Sequence, residues 1–148
     1  MATTPLLPYD QEATEDEIKT YSQLVGSLTY GSTITRADTA FTTKSLAEHL
    51  TNPGPDHFDA AYRCFDYLED TKYLALQLGG EASLNLEFSA LSDVLFADDI
   101  QTRRSTEGQL YELFGGVIDW SSVTQRTVTT SSTEAESLSI SHFCAWVL

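Results

Sequence analysis

Leu84-Asn85-Leu86-Glu87-Phe88-Ser89-Ala90 is where the chain changes period. Upstream, apolar residues recur every three or four positions. Within this stretch Leu84, Leu86, Phe88 and Ala90 alternate with Asn85, Glu87 and Ser89. A period of two belongs to a strand with one buried face, entered here from Gly79-Gly80. A helical first half therefore gives way to strands, and the fold class is α+β.

Working back from that switch, three helices are predicted. Thr14-Glu15-Asp16-Glu17 fits a capping box, and Ile18, Tyr21, Val25 and Leu28 follow at helical spacing, fading around Gly31. A second helix runs from about Asp38 to Leu50, with Ala40, Thr43, Ala47 and Leu50 on one face, until Asn52-Pro53-Gly54-Pro55 stops it. Asp56 can cap a third, in which Phe58, Tyr62, Phe65 and Leu68 or Glu69 recur before it ends around Asp70 to Lys72. Residues 1–13, holding two of the four prolines, read as an extended arm.

Working forward, Leu110 to Trp120, interrupted by Gly115-Gly116, and Arg126 to Thr130 read as the second and third strands of a meander, joined around Ser121 to Thr124. Ser131-Ser132-Thr133-Glu134 is another capping box. It opens a final helix that is apolar nearly all round, with Leu138, Ile140, Phe143, Ala145, Trp146 and Val147, and that calls for burial on several sides.

The 148 residues carry 22 acidic against 8 basic groups, a net charge of -14. The excess is spread along the chain, with 13 acidic and 5 basic residues over 1–86 and 9 and 3 over 87–148. Such a surface repels a polyanion and favours a basic protein partner over nucleic acid. No apolar run is long enough to span a membrane and the start is not that of a signal peptide, so the expected setting is intracellular, cytoplasm or nucleus, without membrane attachment. Cys64 and Cys144 share no metal or disulfide spacing and are expected as buried reduced thiols. His49, His57 and His142 lack a metal-ligand spacing, and the serines near His142 lack the elbow of a serine hydrolase.

The order of short motifs resembles the end of the copia-type retrotransposon polyprotein, where reverse transcriptase passes into ribonuclease H. Tyr21 to Tyr30, Thr35-Arg-Ala-Asp38, Asn52-Pro53, His57 and Tyr67-Leu68 with Thr71 resemble the helical end of the polymerase portion. Ser92-Asp93, Arg103-Arg104-Ser105-Thr106 with Gly108, Gly115-Gly116 with Ile118 and Trp120, and Ser131-Ser132-Thr133-Glu134-Ala135-Glu136 resemble the start of the nuclease. The resemblance implies residues 14–78 as a helical, polymerase-connection-like segment. Residues 79–148 then form a partial ribonuclease H-like domain, a three-stranded antiparallel meander plus helix that lacks its fourth strand.

It also implies a mechanism in which two divalent ions, Mg2+ or Mn2+, held by carboxylates, clamp the scissile phosphate of RNA paired to DNA. Asp93 matches the first-strand carboxylate and Glu136 the helical one, as catalytic residues and metal ligands. Glu134, about 200° round the helix, cannot face the same ion and serves the cap with Ser131. Arg103, Arg104 and Arg126 are candidate phosphate contacts. The family's third carboxylate belongs to a fourth strand, beyond Leu148. Leu95 and Phe96 stand where the family has an aspartate and a tryptophan, Ser121-Ser122-Val123-Thr124 replaces basic residues, and Ser137 replaces a tyrosine. These departures imply a catalytically incomplete domain serving as a binding or assembly module, with self-association through the unpaired edge of the first strand. The alternative is a nuclease of the family's kind.

Overall fold

A computed structural model describes residues 6–77 and 88–147, so the predicted strand positions Leu84 to Glu87 lie outside the described residues. Two compact units divide the chain, Met1–Ala75 and Leu76–Leu148. The first is helical. The second carries, among the described residues, a three-stranded antiparallel sheet and one helix, giving the α+β class.

In the first unit, α1 (Glu15–Ile34) starts with the capping box expected of its sequence: Thr14 Oγ1 accepts from the Glu17 amide at 3.3 Å and Glu17 Oε2 accepts from the Thr14 amide at 2.8 Å. The helix runs past Gly31, whose carbonyl takes the amides of Thr35 and Arg36. The predicted second helix is shorter than expected. A 3-10 turn at Ala37–Thr39 leads into α2 (Ala40–Ala47), and Leu46 is its most deeply buried residue.

α3 (Pro55–Asp70) is capped by Gly54, with Pro55 in its first turn, and Asp56 lies inside the helix. Its buried face is His57, Ala61 and Cys64, rotated from the predicted Phe58, Tyr62 and Phe65. The cause is His57. Gly54 N–H donates to its Nδ1 at 2.7 Å, so Nε2 carries the proton and donates to the Leu7 carbonyl at 2.9 Å. Both ring nitrogens are satisfied, so hydrogen bonds offset the desolvation of the imidazole at its core position. Tyr21, Val25, Leu28, Leu46, Ala61 and Cys64 form the core. Tyr21 donates its hydroxyl to the Leu46 carbonyl at 3.0 Å, and burial pushes its pKa up to about 12.

The arm is extended but held. Asn52 Nδ2 donates to the Tyr9 and Gln11 carbonyls at 3.0 and 2.9 Å, and Asn52 Oδ1 accepts from the Ala13 amide at 2.9 Å.

In the second unit, β1 (Phe88–Leu95), β2 (Thr106–Leu113) and β3 (Gly116–Thr124) form a meander in the order β1-β2-β3. Two predicted strands therefore move. Gly115 is no interruption but half of the two-residue turn Phe114-Gly115, with φ of 51° and 75°, the double left-handed geometry of a type I′ hairpin. Arg126 to Thr130, despite its Thr and Val content, lies beyond the ladder. α4 (Ser132–Val147) packs one strip, centred on Ala135 and Ser139, against the sheet, and Ile140 is exposed, so the expected all-round burial is not met. Cys64 is buried and Cys144 is exposed, which corrects the expectation of two buried thiols.

Candidate functional site

The register decides which residues share a face. Asp93 pairs with Gly108, while its neighbours Ser92 and Val94 pair with Gln109 and Glu107. Directly opposed residues point the same way, and successive ones alternate. α4 lies on the face of Ser92, Glu107, Gln109 and Tyr111. Ser139 Oγ is 2.6 Å from Ser92 Oγ, His142 meets Glu107, and the Phe143 ring stacks on Tyr111 at 5.2 Å. Asp93 therefore projects from the opposite face, beside the row Leu91, Leu110 and Trp120.

Asp93 is exposed, and its Oδ1 accepts from the Val94 amide at 2.9 Å. Glu136 is half-buried on α4, one turn before Ser139. The two acids thus flank the Ser92–Ser139 contact, but from different sides of the sheet. Glu134 serves the cap in a form shifted by one residue. Its amide donates to Ser131 Oγ at 3.2 Å, and its carboxylate accepts from the Thr130 amide at 2.7 Å and hydroxyl at 2.9 Å, which holds its pKa below the usual carboxylate range.

Arg103 and Arg104 lie in the β1–β2 loop and Arg126 just after β3, all exposed. The Gln125 amide donates to the Ser105 carbonyl at 2.8 Å, extending the β2–β3 pairing by one step. Arg104 and Arg126 therefore flank one point at the same end of the sheet that holds Asp93, gathering all the basic charge of residues 87–148 there. The loop is tightly built. Asp99 accepts from the amides of Gln101 and Thr102 and from the Thr102 hydroxyl, and Arg103 takes a φ of 56°. Asp98 accepts from Thr106 Oγ1 at 2.8 Å.

Sequence reasoning missed a polar cluster beneath α4. Glu107, 4% exposed, accepts from Gln125 Nε2 at 3.1 Å and from His142 Nδ1 at 3.0 Å. Gln125 also donates to the Ala135 carbonyl at 3.0 Å. No local signal marks Glu107, since Thr106-Glu107-Gly108-Gln109 reads as a polar surface segment. Hard divalent cations need several converging oxygens. Among the described residues no group of three or more His, Cys, Asp or Glu comes together to supply them, and the register turns Asp93 away from the face on which α4 packs. The carboxylates of the described residues, as placed, do not by themselves make up a two-metal centre. Among the described residues, too, no helix is long and apolar enough to cross a membrane.

Comparison with known proteins finds similarity along most of the chain. It is 36% identical over 121 residues to the secreted RxLR effector protein 161 of Plasmopara viticola, covering 82% of this chain and 84% of that protein. It is 37% identical over 116 residues to the retrovirus-related Pol polyprotein from transposon TNT 1-94 of Nicotiana tabacum, and 34% identical over 142 residues to that from transposon RE2 of Arabidopsis thaliana. These alignments cover 78% and 96% of this chain but only 8% and 10% of the polyproteins. No family model and no solved structure matches.

Proposed function

The chain belongs to the family of retrovirus-related Pol polyproteins of copia-type transposons, and from that membership we propose that it is a ribonuclease H-like domain, catalytically incomplete, that acts as a binding or assembly module. The observation that supports this proposal is the ladder register, by which Asp93 alternates away from the face on which α4, the helix of Glu136, packs. A two-metal clamp draws its rate from carboxylates converging on both ions, and losing one ligand removes most of it. The effector-named relative adds support of another kind: the alignment covers 84% of its length, so the same stretch makes up most of a short protein.

Two partners suit such a module. The described sheet ends on β1, where Leu91 and Leu95 are exposed, and a strand of a second copy can extend that edge. The charge of -14 suits a basic protein better than nucleic acid.

One observation favours the alternative, a metal-dependent endonuclease that cuts RNA in RNA–DNA hybrids with Mg2+ or Mn2+. Asp93, Arg103, Arg104 and Arg126 lie toward one end of the sheet, the end at which Gln125 bonds both Ser105 and the Ala135 carbonyl of α4. Paramagnetic broadening by Mn2+ separates the two. The incomplete domain shows weak broadening with different concentration dependences around Asp93 and Glu136. One saturating event that broadens both together overturns the proposal.

A further inference from the structure

In the first unit a pocket of about 310 Å³ opens between the arm, the start of α1 and the start of α3, lined by Tyr9, Glu17, Pro53, Phe58, Asp59 and Tyr62 among others. That volume is at the lower bound for small-molecule sites and suits a single side chain better than a cofactor. Three of its walls are aromatic. Phe58 and Tyr62 stand 6.5 Å apart on α3, and Tyr9 lies against Gly54, so closely that a β-carbon there would sit 2.5 Å from its ring. The Tyr9 backbone is fixed by Asn52, so this wall is preformed.

The remaining side chains of the lining are prolines and two carboxylates, with no basic group. Glu17 is held ionised by the Thr14 amide and hydroxyl, which keep its pKa low. Aromatic faces flanked by carboxylates, on a chain of net charge -14, complement a cation. A planar guanidinium uses both features at once, stacking on a ring while donating to carboxylates. We propose that this pocket binds the arginine side chain of a basic protein segment. Neither Asp93 nor Glu136 takes part, so this site and the nuclease-like unit stand or fall separately.

The test titrates the isotope-labelled full chain with a short peptide of alternating arginine and glycine, followed by NMR in low and in near-physiological salt. The expected result is saturable shifts centred on Tyr9, Phe58 and Tyr62 that persist in salt. Tyr62→Leu, which keeps apolar bulk but removes the π face, and Asp59→Asn each weaken binding about tenfold. Both residues are exposed, and the spectra report directly that the fold is kept. A proline-rich or glutamate-rich peptide of equal length binds at least about tenfold more weakly. Absence of saturable shifts overturns the proposal. So do shifts spread over the acidic surface and unaffected by either substitution, and so does a proline-rich peptide that fills the pocket equally well.

Discussion

Ser92 Oγ and Ser139 Oγ lie 2.6 Å apart, a hydrogen bond that ties β1 to α4 one residue before Asp93 and one helical turn after Glu136. Ser139 is fully buried and Ser92 partly so. Removing one hydroxyl strands the other, whereas removing both leaves two small apolar contacts. Ser139→Ala is expected to cost about 1–2 kcal/mol, and the Ser92→Ala, Ser139→Ala double variant less than the sum of the singles. Urea unfolding of the four proteins in the cycle measures the coupling.

Asn52 holds the arm through three hydrogen bonds to Tyr9, Gln11 and Ala13. Asn52→Ala should release residues 9–13, with Leu7 still held by His57 and the core of α1 and α3 intact, at a cost of roughly 1–3 kcal/mol. The arm then becomes sensitive to proteolysis, and the Ala13 amide loses exchange protection. An arm as protected in the variant as in the wild type contradicts this account.

The Phe114-Gly115 turn places a non-glycine residue at a φ of 51°. Asparagine tolerates that conformation better, and Asn-Gly is the favoured type I′ pair. Phe114→Asn is expected to raise stability by about 0.5–1 kcal/mol, and Gly115→Ala, at a φ of 75°, to lower it by about 1–2 kcal/mol. Thermal melts of both variants read the two signs.

Asp38 accepts from Arg36 Nη2 at 2.7 Å and from the Tyr67 hydroxyl at 2.6 Å, and Arg36 also reaches Thr71 Oγ1 at 2.6 Å. The Arg36 hydrogen bond, more than any other cause, holds the Asp38 carboxyl below its usual range. A folded-state pKa below the unfolded one gives stability that is fully present above the unfolded value and is lost as pH falls through the folded value. The helical unit should therefore weaken in acid below the ordinary aspartate range. Asp38→Asn should flatten that part of the profile, as measured by unfolding across pH.

Elements whose signal is local were legible from the sequence. The capping box at Thr14 and Glu17 determines where α1 begins whatever the rest of the chain does, and the start of α4 follows from Ser131 and Glu134 in the same way. Local pattern and structure part where tertiary partners decide. The buried face of α3 departs from its apolar spacing because His57, polar by composition, finds both its partners in Gly54 and Leu7 and enters the core. The second and third strands depart from the sequence pattern because Thr and Val content favours extension anywhere, while the hairpin depends on two residues at positive φ.

Asp93 and Glu136 were picked out by motif, yet which side of the sheet Asp93 faces follows from its pairing with Gly108. Pairing lies beyond local pattern, because a slip of one residue reverses every side chain. Glu107 was missed for a related reason. Its burial depends on α4 bringing His142 over β2.

The most direct test of the central claim is cleavage of a labelled RNA–DNA hybrid in Mg2+ or Mn2+, comparing the wild type with the Asp93→Asn, Glu136→Gln double variant. The placement of these acids on different sides of the sheet predicts no cleavage by either folded protein. Cleavage by the wild type that the double variant loses would mean that Asp93 and Glu136 form a working site, and would contradict the account.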